Sequence, residues 1–194
     1  MFLARRPSAA AINRFLAESR ELPLSYGPVG IVRERPRDRR FDEQVVAIGK
    51  GTGDFDRARE ALMSWKQFDI GWVQTFPRDA RIETGTVVAV LIRHLGFWSL
   101  NGARVVYIED RRDEPRFAFG YGTLPNHAEG GEELFEVFVD PPSLDVMYRI
   151  RATSWPQTRL ASIGQPIVRV LQARFRRDSA QAMRRTARGL PRLP

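Results

Sequence analysis

The chain has no cysteine, two histidines, and two lysines among its 31 basic residues. Without cysteine there is no disulfide, no thiolate metal site and no cysteine nucleophile. His94 and His127 each stand without a ligand-spaced partner, so no metal site is expected. Long apolar runs are also missing. The longest, Val87 to Ile92, is six residues, far short of the ~20 that span a bilayer. Met1 to Pro7 lacks the apolar stretch of a secretory signal. A cytoplasmic location is the resulting expectation, and no motif implies a cofactor.

What is present fits a soluble protein of 194 residues, long enough to bury a core and expected to form one domain over 1–194. Its charge is uneven. From Gln165 to the end, eight arginines face one acid, Asp178, so this segment holds +7 of the net +8. Arginine binds carboxylate and phosphate in a planar fork. One reading of Arg169 to Arg188 is therefore docking on an anionic membrane surface. The plainer reading is the solvated face of a helix. No aromatics alternate with the arginines after Phe175, so nucleic acid is not expected as a partner.

Periodicity predicts the elements. Ser8 caps a short helix with Ile12, Phe15 and Leu16 on one face, and Pro23 ends it. Tyr26 to Gly30 reads as a turn, and Arg33 to Arg40 as an exposed loop. Gln44 to Ile48 is a strand. Gly49-Lys-Gly-Thr-Gly53 then leads into a helix from Asp54 to Lys66, carrying Phe55, Ala58, Leu62 and Trp65 at helical spacing. The glycine run lacks the Walker and dinucleotide spacings, so it reads as helix entry rather than as a phosphate site. Strands follow at Ile70–Phe76, Thr86–His94, Ala103–Glu109 (entered through a turn at Asn101-Gly102), Arg116–Gly122, Leu134–Val139 and Leu144–Ser154. In Arg116–Gly122 the residues Phe117, Phe119 and Tyr121 share one face, and Ala118, Gly120 and Gly122 the other. A long helix, Thr158 to Arg188, carries the stripe Leu160, Ile163, Ile167, Leu171 and Phe175, with an interruption expected at Gly164-Gln-Pro166.

Six consecutive strands joined by short turns form an antiparallel meander, and one long helix can cover its face. This α+β order resembles the helix-grip fold of the START and Bet v 1-like superfamily: a curved antiparallel sheet of about seven strands wrapped on a C-terminal helix. A narrower resemblance, to uncharacterised protein family 0548, is carried by four segments. These are Tyr26-Gly-Pro-Val-Gly30; Ile48 to Phe55 with Ala58, Leu62, Trp65 and Gly71-Trp72; Tyr121-Gly-Thr-Leu124 with His127 and Gly131-Glu-Glu133; and Leu160-Ala161, Gly164, Pro166 and Gln172. The expected organisation is one helix-grip domain, with residues 1–42 as an N-terminal helix-and-loop extension and 189–194 as a frayed tail. The resemblance also implies a hydrophobic small molecule or lipid held between sheet and helix.

Two sets of candidate site residues follow. The aromatics Trp65, Trp72, Tyr107, Phe117, Phe119, Tyr121, Tyr148 and Trp155 can line such a cavity or pack a core; the tyrosines are the best polar contacts. His127 can act as acid or base, with Glu129, Glu132 or Glu133 to orient it. Equally, Pro125-Asn126 and Gly130-Gly131 can bound a plain hairpin loop whose acids are solvated. The chemical alternative to simple binding is a hydrolase or cyclase-like reaction at His127.

Overall fold

A computed structural model of the protein describes residues 2–156 and 165–190. The helices are α1 (Ala9–Arg20), α2 (Ile31–Glu34), α3 (Gly51–Met63) and α4 (Gln165–Ala187). The strands are β1 (Phe2–Leu3), β2 (Asp42–Lys50), β3 (Val73–Phe76), β4 (Val87–His94), β5 (Phe97–Arg111), β6 (Arg116–Thr123), β7 (Glu129–Val139) and β8 (Asp145–Pro156). One antiparallel sheet holds them in the order β2-β8-β7-β6-β5-β4-β3, with the short β1 paired to β5 off that path. The expected meander is thus β3 to β8, and β2 joins its far edge. The portion of the long helix assigned to Thr158–Gly164, including Leu160 and Ile163, lies outside the described residues.

Local chemistry explains the element ends. Ser8 accepts the Ala11 amide at 3.2 Å and starts α1. Asp54, in the first turn of α3, accepts the Lys50 amide at 2.8 Å, so the glycine run is a helix entry. The turn expected at Asn101-Gly102 is instead the middle of β5. Its hairpin with β4 closes six residues earlier, at Leu95-Gly96, where both residues have positive φ (48° and 81°). Asn101 is tolerated inside the sheet because its buried amide donates to the Val90 carbonyl and to Ser99 Oγ.

Both faces of the sheet are covered. On the inner face Phe117, Phe119, Phe135, Val137, Tyr148 and Ile150 pack against α3 and the end of α4. On the outer face α1 seats Ile12, Phe15 and Leu16 on Ala89, Leu91 and Leu100. Beside it, Ile31 and Val32 of α2 pack on Tyr107, Ala118 and Leu134. The loop expected over Arg33–Arg40 is largely exposed, while Ile31 and Val32 between it and the Tyr26–Gly30 turn are part of the core. Gly120 and Gly122 make this possible: a Cβ at either would lie 2.3 Å from the Tyr107 ring or 2.5 Å from the Tyr26 ring.

Candidate functional site

The inner face is packed along only part of its length. Where α3 ends, a cavity of about 460 Å³ opens between the sheet and α4. Its apolar lining includes Phe68, Trp72, Val90, Ile92, Leu171 and Phe175. Its polar lining includes Tyr121, His127, Glu129, Glu133, Gln172 and Arg176. On α4 the lining residues Val168, Leu171, Gln172, Phe175 and Arg176 fall at helical i, i+3, i+4 spacing on one face.

Of the eight aromatic candidates, Trp72 and Tyr121 line this cavity. Trp72 is pinned at its edge, with Nε1 donating to Asp178 Oδ2 at 3.0 Å and Arg174 4.6 Å above the ring. Trp65, Phe117, Phe119 and Tyr148 are instead packed in the core. Trp65 stands edge-on to Phe119, 5.2 Å between centroids, and Tyr148 shares a 2.9 Å hydrogen bond with Ser179. Tyr107 is on the outer face. A bulge between Val105 and Tyr107 shifts the register, so Val105 points inward and Tyr107 outward over Gly120. Trp155 lies away from the cavity, with Arg39 stacked 5.2 Å from its ring.

The segment from His127 to Glu133 is not a solvated loop. Only residues 124–128 form the connection, and Glu129, Glu132 and Glu133 belong to β7. Asn101 Oδ1 accepts the Ala128 amide, and Asn126 donates to Ser19, which fixes the connection. His127, Glu129 and Glu133 all line the cavity. His127 Nδ1 accepts the Glu129 amide at 3.0 Å, and burial pushes the imidazole down to about 4, so the ring is neutral at physiological pH. Glu129 Oε2 accepts from Gln172 Nε2 at 2.8 Å and Ser154 Oγ at 3.1 Å, and burial raises its carboxyl. Glu133 Oε2 accepts the Tyr121 phenol at 2.7 Å. Burial pushes the Glu133 carboxyl up to about 7, against the opposing pull of the Tyr121 hydrogen bond and the Arg176 charge.

These shifts predict a pH signature. His127, with its value lowered from 6.5, contributes stability that is full above 6.5 and lost as pH falls through about 4. Glu133, with its value raised from 4.5, contributes stability that is full below 4.5 and lost as pH rises through about 7. Between 4.5 and 6.5 the two oppose each other, each with a slope of about 1.4 kcal/mol per pH unit. Relative to the wild type, Glu133→Gln is expected to make the slope of unfolding free energy against pH more positive there, and His127→Asn more negative. Urea unfolding at stepped pH reads both; a change of the same sign in the two variants contradicts the assignment.

Glu132, one of the three carboxylates that could orient His127, has a different role. Its carboxyl lies on the outer face of the sheet beside Tyr107, is 2% exposed, and accepts four hydrogen bonds. The donors are the Tyr26 phenol (2.6 Å), the Gly30 amide (2.8 Å), the Val32 amide (3.1 Å) and the Tyr107 phenol (3.2 Å). Two separate signature segments, Tyr26–Gly30 and Gly131–Glu133, thus meet at one carboxyl. Three of the six arginines of α4 are engaged by the fold: Arg174 and Arg177 pair with Asp178, and Arg184 holds the Ala47 carbonyl. No group of histidine and carboxylate side chains able to hold a metal occurs among the described residues.

A curled antiparallel half-barrel closed by a C-terminal helix, hollow between the two, defines the helix-grip class of START and Bet v 1-like folds. The structure is similar to the Zhui aromatase/cyclase from Streptomyces sp. R1128, with TM-score 0.54, 8% identity, and coverage of 77% of this chain and 93% of that one. It is also similar to TTHA0849 from Thermus thermophilus, with TM-score 0.51, 12% identity, and coverage of 77% and 98%. Residues 25–182 match the model of a domain of unknown function, DUF1990, and the chain belongs to that family. UPF0548 proteins of Dictyostelium discoideum and Deinococcus radiodurans are each 33% identical to it. The first alignment covers 94% of both chains, the second 96% of this chain and 99% of the relative. No helix among the described residues is long and apolar enough to cross a membrane.

Proposed function

We propose that this protein binds one hydrophobic or amphipathic small molecule between the sheet and α4. The observation that carries this reading is the cavity of about 460 Å³, lined mainly by apolar side chains with a few polar groups among them. Small-molecule sites have this form, mostly apolar with a few convergent polar groups, at roughly 300–1,000 Å³. Native mass spectrometry of the purified protein, followed by solvent extraction, tests it. A small-molecule adduct that is released on activation is expected. Bare protein only, both as purified and after incubation with amphiphiles, contradicts it.

A second reading, turnover of that molecule, is favoured by Glu133 rather than His127. A carboxyl held at about 7 inside a cavity is suited to taking and returning a proton near neutral pH. A neutral imidazole at about 4 is a weak base there. Turnover predicts that the extracted molecule changes mass on incubation with the wild type and not with Glu133→Gln. An unchanged extract in both cases leaves binding as the whole function.

A further inference from the structure

The chemistry of the occupant can be narrowed from α4. Arg176 lines the cavity one helical turn after Gln172. Unlike Arg174, Arg177 and Arg184, it makes no ion pair and no side-chain hydrogen bond with any described residue. A half-buried guanidinium facing the cavity has lost part of its hydration, and no carboxylate among the described residues touches it. Glu133 does not supply that charge by contact. Its Oε2 is taken by Tyr121, its Oε1 has no hydrogen-bond partner among the described residues, and the two side chains interact only through their fields. A gap between an unpaired guanidinium and a carboxyl with one open oxygen suits a planar group that accepts from both.

We propose that the molecule held here is an apolar carboxylic acid, bound as its anion, with Arg176 gripping the carboxylate in a fork and Glu133, in its protonated form, donating a second hydrogen bond from Oε1. This rests on the binding reading above and names the ligand class for it. The hydrocarbon portion lies along Phe68, Trp72, Val90 and Ile92. Arginine matches a carboxylate in two parallel hydrogen bonds, and such charge-assisted bonds are the strong ones.

The pairing fixes a direction with pH. The groups facing Glu133 are Tyr121 from β6, Glu129 on its own strand, Tyr148 from β8 and Arg176 from α4. Asp42 of β2 acts on Glu129, and His127 is neutral. An anion arriving beside Glu133 favours its protonated form, so binding takes up a proton and tightens as pH falls through about 7. An ammonium ligand would show the reverse.

The test is calorimetric titration of the full chain with dodecanoate, dodecanol and dodecylamine below their micelle concentrations, at about pH 6 and about pH 8. Dodecanoate is expected to bind about tenfold more tightly than dodecanol at the lower pH, and less tightly at the higher. Arg176→Gln is expected to erase the preference while dodecanol still binds. Glu133→Gln, which keeps a donor at that position, is expected to retain the preference and lose its pH dependence. A preference for dodecylamine, or equal affinity for acid and alcohol, overturns the ligand class and leaves the binding reading standing. Failure of all three probes to bind overturns both.

Discussion

Glu132→Ala is expected to lower the unfolding midpoint by about 8 to 16 °C. The carboxyl is 2% exposed and accepts from two backbone amides and two phenols. Truncation leaves four donors buried without an acceptor, and each such orphan costs about 1–3 kcal/mol. Even with partial relaxation the loss is about 4 kcal/mol, and in a chain of this size each kcal/mol is worth about 2–4 °C. In the wild type, burial first and the contact with Glu132 second hold both phenols far above the ordinary tyrosine range; burial remains in the variant and opposes relief by ionisation. Thermal unfolding gives the total. Hydrogen exchange at the Gly30 and Val32 amides gives the local signature, because the 25–35 strap should open first. A midpoint within about 2 °C of the wild type would show that the strap is held by its apolar contacts alone.

Gly131→Ala is expected to cost as much, through the backbone. Gly131 has φ 148°, and a Cβ there would sit 2.0 Å from the Thr153 carbonyl oxygen on β8. The obstacle is main chain in the neighbouring strand and cannot rotate aside. Thr123 Oγ1 binds both the amide (2.8 Å) and the carbonyl (3.1 Å) of Gly131, so the strand cannot shift without breaking that pairing. Positive-φ strain of about 1–3 kcal/mol and overpacking of about 1–3 kcal/mol add here. Because Gly131 lies between Glu129 and Glu132, the variant should also disturb the cavity wall. Denaturant unfolding and the Tyr121–Glu133 contact seen by NMR both report it. A stable variant with that contact unchanged would contradict the geometry.

Much of the fold was legible in the chain, for local reasons. The alternation Phe117, Phe119, Tyr121 marks a strand and its inner face, and the spacing Phe55, Ala58, Leu62 marks α3. Six strands with short turns leave little choice but a meander. What was hidden depends on distant partners or on small departures from period. Glu132 sits in a Gly-Gly-Glu-Glu stretch that reads as a turn; its burial comes from donors about 100 residues earlier in the chain. Tyr107 was assigned to the ligand side, and one bulge after Val105 reverses its face. Asn101-Gly102 has the composition of a hairpin turn, yet the asparagine amide finds partners within the sheet. The division between core and cavity falls between Phe119 and Tyr121 on a single strand. It is set by where α3 stops, and strand periodicity carries no record of that.

If the space between sheet and α4 is a ligand site rather than loose packing, it takes up a fitting apolar molecule and loses it when filled. Calorimetric titration of dodecanol into the wild type and into Ala152→Trp tests this most directly. Ala152 lines the cavity opposite Glu133, and an indole there would occupy the space. A single saturable site in the wild type is predicted, weakened at least about tenfold in a variant that still folds. No saturable binding by the wild type, or equal binding by the two proteins, would contradict it.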